Sequence, residues 1–200
     1  ISYTCAVTFK NADNLRQLVA LIKSTPGKWS YGSGGLGTYT HLDMLQFARA
    51  SGTDLVHIPY KSGGLSTIGL LSNEIQLLFT SAAAATEQVR AGRIKAMAVT
   101  ARNRIAQVPD IPTMAEAGFP GVGTLAWNGV FAPLATPRTI VNKLNAAIQQ
   151  IIERPDVKEL FFKNTVLPAE KNSPEECSAF VRADSQRWEK IIREANVKID

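Results

Sequence analysis

The chain is poor in the side chains that bind metals or carry redox chemistry. Its only cysteines are Cys5 and Cys177, and its only histidines are His41 and His57. Neither pair has the spacing of a zinc site or a CxxC motif, and no acidic cluster lies beside either histidine, so neither a metal nor a cofactor is expected. The two cysteines leave two readings open: one disulfide, if the protein is exported, or two buried thiols. Long apolar runs are also missing. A bilayer span takes roughly 18 or more apolar residues, whereas the longest candidate, around Ala82–Ala85, is alanine bordered by polar groups. Nor is charge of one sign massed. The 22 Lys and Arg against 17 Asp and Glu give a net charge of +5, scattered along the second half. That pattern argues against a nucleic-acid arm and a polybasic membrane patch. No GxSxG, no HExxH and no close carboxylate pair near a glycine-rich loop is present, so no enzyme is expected. The first residues, Ile1 to Val7, lack both a methionine and the basic start of a signal peptide and read as a strand. The expectation is that Ile1 is not the native beginning.

What is present is a 45% hydrophobic composition and a clear alternation of short apolar runs with helical patterns up to Thr100. This predicts an α/β domain with a largely parallel sheet. Asn14 with Gln17 three residues on resembles a capping box, after which Leu15, Leu18, Val19 and Ile22 share one helical face until Pro26-Gly27. Trp29–Gly32 reads as a strand, and Tyr39–Ala50 as a helix with Leu42, Leu45 and Ala48 inward. Leu55–Tyr60, Ile75–Thr80 and Lys95–Thr100 read as further strands, with helices at Gly64–Leu71 and Ala83–Ala91 between them. Past Thr100, prolines and glycines from Pro109 to Gly123 mark a connection that holds only a turn of helix near Thr113–Ala117. Leu125–Pro133 is strand-like. Thr136-Pro137 supplies an N-cap and first-turn proline for a helix to Glu153, and Arg154-Pro155 starts another. Ser173-Pro174-Glu175-Glu176 opens a last helix to about Asn196, with Phe180, Trp188 and Ile191 inward. These last three helices have no sheet of their own to cover.

In open α/β sheets, ligands gather where strand ends meet helix starts, because the amides there are unpaired and the helix dipole favours negative charge. Three such places occur: Ser33–Thr38, Lys61–Gly64 and Thr80–Ala83. In the first, Gly34, Gly35 and Gly37 allow close backbone approach, while Ser33 and Thr38 add hydroxyls that suit a carboxylate. Thr38 either caps the following helix or touches ligand. Gly32-Ser33-Gly34-Gly35-Leu36-Gly37 also satisfies the GxGxxG dinucleotide pattern, so an NADP-binding oxidoreductase domain is the alternative. Against it, Leu55–Tyr60 is followed by Lys61 and not by an Asp or Glu for a ribose hydroxyl. Thr38 stands where a nucleoside-triphosphate loop needs lysine. His41, Tyr60 and Trp127 are further possible contacts. For each a structural role is the plainer reading: a local hydrogen bond for His41, core packing for the two aromatics.

An ordered set of segments resembles the tripartite tricarboxylate transporter substrate-binding proteins, or Bug receptors. The matching segments are Pro26-Gly27-Lys28, Tyr31-Gly32-Ser33 through Gly37-Thr38 and His41, and Val56-His57-Ile58-Pro59-Tyr60-Lys61. They continue with Ala91-Gly92-Arg93, Ala98-Val99-Thr100, Pro109-Asp110-Ile111-Pro112-Thr113, Glu116-Ala117-Gly118, and Phe131-Ala132-Pro133 before Thr136-Pro137. The resemblance implies an α/β, type II periplasmic-binding-protein-like fold of two lobes, one of them incomplete here. Residues 1–124 would form the second lobe and 125–200 the C-terminal part of the first, with the N-terminal part lacking. It also implies a periplasmic receptor that captures a small carboxylate and delivers it to membrane permease subunits. The implied contacts are Ser33, Gly35, Gly37 and Thr38, with Thr80 and Ser81 opposite. Many relatives carry an acidic residue at the position of Thr80, so a carboxylate without an amino group is expected in preference to an amino acid. A homodimer through the incomplete lobe would cover the bare helices.

Overall fold

A computed structural model describes residues 3–7, 12–124 and 126–195. Its five strands are β1 (Tyr3–Val7), β2 (Ser30–Ser33), β3 (Val56–Pro59), β4 (Leu77–Ser81) and β5 (Lys95–Val99). They form one sheet in the order β3-β2-β4-β1-β5. β2 is parallel to β3 and β4, while β1 lies antiparallel to both β4 and β5. The sheet is therefore largely parallel, with one reversed strand in its interior. Helices α1 (Leu15–Ser24), α2 (Tyr39–Ser51), α3 (Gly63–Leu71) and α4 (Ala82–Arg90) connect the strands.

A sheet covered on both faces needs strands that are apolar on both sides. β4 meets this requirement: Leu77 and Phe79 join Trp29, Tyr31, Met44, Phe47 and the α1 residues Leu15, Leu18 and Ile22 in one cluster. Between them, Leu78 points to the opposite face and joins Leu70, Ile75, Ala85 and Ile94, as the two-residue strand period requires. On α1, the Asn14 side chain accepts from the Gln17 amide at 3.0 Å, and the Gln17 side chain accepts from the Asp13 amide at 2.7 Å. This capping box closes one residue wider than usual. On α2, Leu42 is buried as expected. Leu45 and Ala48 are only half-buried, and Met44 and Phe47 take the core positions instead. The helix is turned so that 40, 43, 44 and 47 face the sheet, a stripe at the i, i+3, i+4, i+7 spacing.

The connection after β5 is laid along that strand's outer edge. Val99 bridges to Thr113, with the Val99 amide bonded to the Pro112 carbonyl at 2.9 Å and the Met114 amide to the Val99 carbonyl at 2.8 Å. An exposed edge strand is thereby covered. The expected turn at Thr113–Ala117 forms, closed by reciprocal bonds between Thr113 and Glu116.

The expected strand at Leu125–Pro133 does not form among the described residues: 126–133 are irregular, and Leu125 lies outside them. A strand exists only where a neighbour satisfies its backbone groups. Helices α5 (Arg138–Glu153), α6 (Pro155–Lys163) and α7 (Pro174–Ala195) follow. Pro137 occupies the cap position of α5, one residue earlier than its expected first-turn place, whereas Pro155 is the first residue of α6. Ser173 and Glu176 form a complete capping box before α7. Neither α5 nor α6 buries any residue. On α7, Trp188 and Ile191 are half-buried, but Phe180, expected inward, is 51% exposed. Trp127 packs edge-on against it at 5.4 Å. Cys5 is in β1, and Cys177, half-buried on α7, carries a free thiol. No helix among the described residues is long and apolar enough to cross a membrane, and no cluster of metal-ligating side chains is found among them.

Candidate functional site

Parallel register sets the site. Gly32 of β2 lies beside Leu78 of β4, and Ser33 beside Pro59 of β3. The chain leaving β2 therefore enters the Gly34–Thr38 loop next to the ends of β3 and β4, where Lys61–Gly64 and Thr80–Ala83 begin α3 and α4. The first glycine of the GxGxxG pattern serves packing: a β-carbon on Gly32 would meet Ile75 Cδ1 at 2.4 Å.

The loop is held by its own hydrogen bonds, and their directions are fixed by counting protons. The Gly35 carbonyl is the hub. It accepts from Ser33 Oγ at 3.0 Å, Thr38 Oγ1 at 2.8 Å and the Thr38 amide at 3.4 Å. The Gly34 amide donates to Thr40 Oγ1 at 3.2 Å, which lies 3.1 Å from Thr38 Oγ1. The Gly35 amide donates to Ser33 Oγ at 3.1 Å. The Gly37 amide donates to His41 Nδ1 at 3.2 Å. Gly35 and Gly37 both have positive φ, 127° and 71°. Ser33 is fully buried, and its hydroxyl serves the loop. Thr38 stands at the cap position of α2 but makes no side-chain cap bond; its hydroxyl is turned to the Gly35 carbonyl. α1, α3 and α4 are capped by Asn14, Ser62 and Ser81, so α2 presents an uncapped first turn beside the glycine loop.

Across the sheet edge, Thr80 is buried and Ser81 caps α4 by accepting from the Ala84 amide at 3.2 Å. That bond leaves the Ser81 proton for an acceptor. The sequence-derived residues Ser33, Gly35, Gly37 and Thr38 thus share one loop, with Thr80 and Ser81 at the end of the adjacent strand β4. His41 acts locally, bonding the loop. Tyr60 packs over Gly69 and donates to Glu74 at 3.0 Å. Trp127 donates to Asp184 at 2.9 Å and stacks edge-on with Phe180. It lines a hollow of about 420 Å³ together with Gly37, Tyr39, Thr124 and Trp188.

Two residues escaped the sequence reading. His57 on β3 lies with Nε2 2.7 Å from Ser33 Oγ, and its ring stacks on His41 at 4.1 Å and on Tyr31 at 4.8 Å. Asp43, fully buried on α2, accepts from the Thr124 hydroxyl and, at 3.2 Å, from the Thr124 amide. Its place in the 40, 43, 44, 47 stripe is the signal that would have found it.

Burial pushes the Asp43 carboxyl up from 3.8 to about 6, against the lowering effect of the Thr124 bonds and Arg187. Burial, then the neighbouring His41 charge, pushes His57 down from 6.5 to about 4, and burial lowers His41. The linkage runs in opposite senses. Asp43 contributes stability in full below about pH 3.8 and loses it as pH rises through 6. His57 contributes in full above about 6.5 and loses it as pH falls toward 4. Asp43→Asn, which removes one of two opposing limbs, is expected to make urea stability fall more steeply between pH 6.5 and 4 than in the parent. Parallel pH profiles would show that Asp43 does not titrate in this range.

In open, doubly covered α/β sheets, ligands gather at the strand ends where these loops lie. The model of the tripartite tricarboxylate transporter family receptor matches residues 6–197, and the chain belongs to this family. It is 35% identical over 182 residues to the UPF0065 protein in the tcbD-tcbE intergenic region of Pseudomonas sp. strain P51, covering 90% of this chain and 54% of that one. Among solved structures it superimposes on R. palustris Rpa4515 with adipate at a TM-score of 0.89, with 27% identity and coverage of 98% and 66%. It matches MatC (Rpa3494) from Rhodopseudomonas palustris with bound malate at 0.82, with 26% identity and coverage of 96% and 66%. The fold is that of the periplasmic binding proteins. The chain spans about half the length of the curated relatives it matches and about two thirds of the solved ones.

Proposed function

We propose that this chain is the ligand-binding part of a periplasmic receptor that captures a small carboxylate and hands it to the permease subunits of a tripartite tricarboxylate-type transporter. The observation that carries this reading is the Gly34–Thr38 loop beside the uncapped first turn of α2. The dipole at a helix start favours an anionic group, and Ser81 offers a hydroxyl proton from the neighbouring strand end. Adipate and malate bound to two relatives support the ligand class. Residues 1–124 are read as one lobe and 125–200 as part of the other, with Ser33, Gly35, Gly37, Thr38, Thr80 and Ser81 shaping or lining the cleft. A homodimer would cover the exposed faces of α5 to α7.

Melting temperature is the test. Mono-, di- and tricarboxylates are expected to raise it with increasing concentration, as mass action requires, and NADPH to leave it unchanged. Succinate is expected to stabilise more than aspartate, because neutral Thr80 offers no partner for an amino group. A response to NADPH alone would overturn the receptor reading, and tighter aspartate binding would overturn the preference.

A further inference from the structure

The two histidines of this chain meet in space although they lie sixteen residues apart in sequence and on different elements, His41 on α2 and His57 on β3. Their rings stack at 4.1 Å and 18°, and Tyr31 of β2 closes the stack on the His57 side at 4.8 Å. Each ring commits one nitrogen to the glycine loop: His57 Nε2 to Ser33 Oγ at 2.7 Å, and His41 Nδ1 to the Gly37 amide at 3.2 Å. The proton count assigns the His41 tautomer. His41 Nδ1 receives an N–H, so it is bare and the ring proton is on Nε2. Ser33 Oγ has one proton for the Gly35 carbonyl and His57 Nε2, and its 2.7 Å bond to His57 forms with either tautomer of that ring.

We infer that His41 and His57 are positioning residues of the carboxylate loop, holding Gly37 and Ser33 from beneath so that the amides around α2's first turn face the ligand. The inference rests on the proposed reading of that loop as the carboxylate site. It requires His41 neutral, since a protonated Nδ1 would confront the Gly37 N–H with a second donor. A cation on either ring would also lie against the other. The groups facing the pair fit this requirement. Tyr31 faces it from β2, and burial holds its hydroxyl protonated. Asp43 on α2 directs its carboxylate to Thr124. On α7, which packs against α2, Asp184 engages Trp127 and Arg187. Among the described residues no carboxylate forms an ion pair with either ring to stabilise its cation.

The experiment uses the full chain and adipate as probe. His41→Phe and His57→Phe keep a stacking ring and remove the loop bond. His41→Asn places an amide oxygen where Nδ1 stood and cannot titrate. Both phenylalanine variants are expected to weaken adipate binding at least tenfold at pH 7, and His41→Asn to restore it to within about threefold of the parent. The ratio of parent to His41→Asn affinity, which cancels the titration of adipate itself, is expected to fall on acidification toward pH 4. In ligand-free protein, the Gly37 amide resonance is expected to follow the His41 ring titration. Phenylalanine variants that bind like the parent, no recovery in His41→Asn, or a Gly37 amide indifferent to that titration would overturn the inference. Should the parent bind no carboxylate, the proposed function fails, and the Gly37 resonance still decides the positioning role. The same resonance decides it if a phenylalanine variant does not fold.

Discussion

Gly35→Val is expected to lower carboxylate affinity by thirtyfold or more while leaving the fold in place. Gly35 sits at φ 127°, a conformation that L side chains rarely adopt, and a valine there costs on the order of 1–3 kcal/mol of backbone strain. Space is not the obstacle: an added β-carbon finds its nearest neighbours at 3.7 and 3.9 Å. The strain is relieved by turning the peptide, which moves the carbonyl that collects three donors from Ser33 and Thr38. A penalty of about 2 kcal/mol is already roughly thirtyfold in affinity. Gly27→Ala is the matched control, since Gly27 also has positive φ, 73°, with nothing within 4 Å of its β-carbon. That variant is expected to lose stability and keep affinity. Calorimetric titration with adipate or malate measures both, and equal affinities for the two variants would remove the loop from the site.

Phe47→Ala is expected to cost about 3–5 kcal/mol, a large share of the roughly 5–15 kcal/mol that holds a typical domain. The ring is fully buried between α2 and the sheet and packs edge-on against Phe119 at 5.3 Å. It therefore ties the post-sheet connection to the core as well as α2. Phe180→Ala removes the same group from a half-exposed position and is expected to cost under about 1 kcal/mol. Urea denaturation reads both, and similar losses would mean that burial does not separate the two rings.

The strands and helices up to Thr100 were legible because each carries its own punctuation. Asn14 caps α1 as its spacing to Gln17 foretold, and the glycine loop falls between β2 and α2. Two kinds of feature were not legible. Pairing across elements leaves no local trace: the His41–His57 stack depends on the register that sets Tyr31 beside His57. Nor does a reading of apolar residues alone notice a carboxylate in the buried stripe of α2, which is why Leu45 and Ala48 were preferred to Met44 and Phe47. Residues 126–133 fail as a strand for a related reason, since an apolar pattern alone does not supply a neighbouring ladder. Thr38 shows the limit of residue-type rules, because it stands at the cap position yet its hydroxyl faces the Gly35 carbonyl and accepts from no amide of the helix.

The placement of β1 has a consequence for how the molecule reaches this shape. Tyr3–Val7 lies inside the sheet, and among the five named strands β5 pairs only with it. While a chain is being made, β2, β3 and β4 can pair as they emerge. The segment from Lys95 to Val99 must then search for a strand synthesised almost a hundred residues earlier. Closing so long a loop is an entropic toll levied late, and until it is met β1 offers an open edge to any other extended chain nearby. The last strand to arrive therefore acts as the seal on this half of the sheet, and conditions that delay it favour exchange of β5 between molecules.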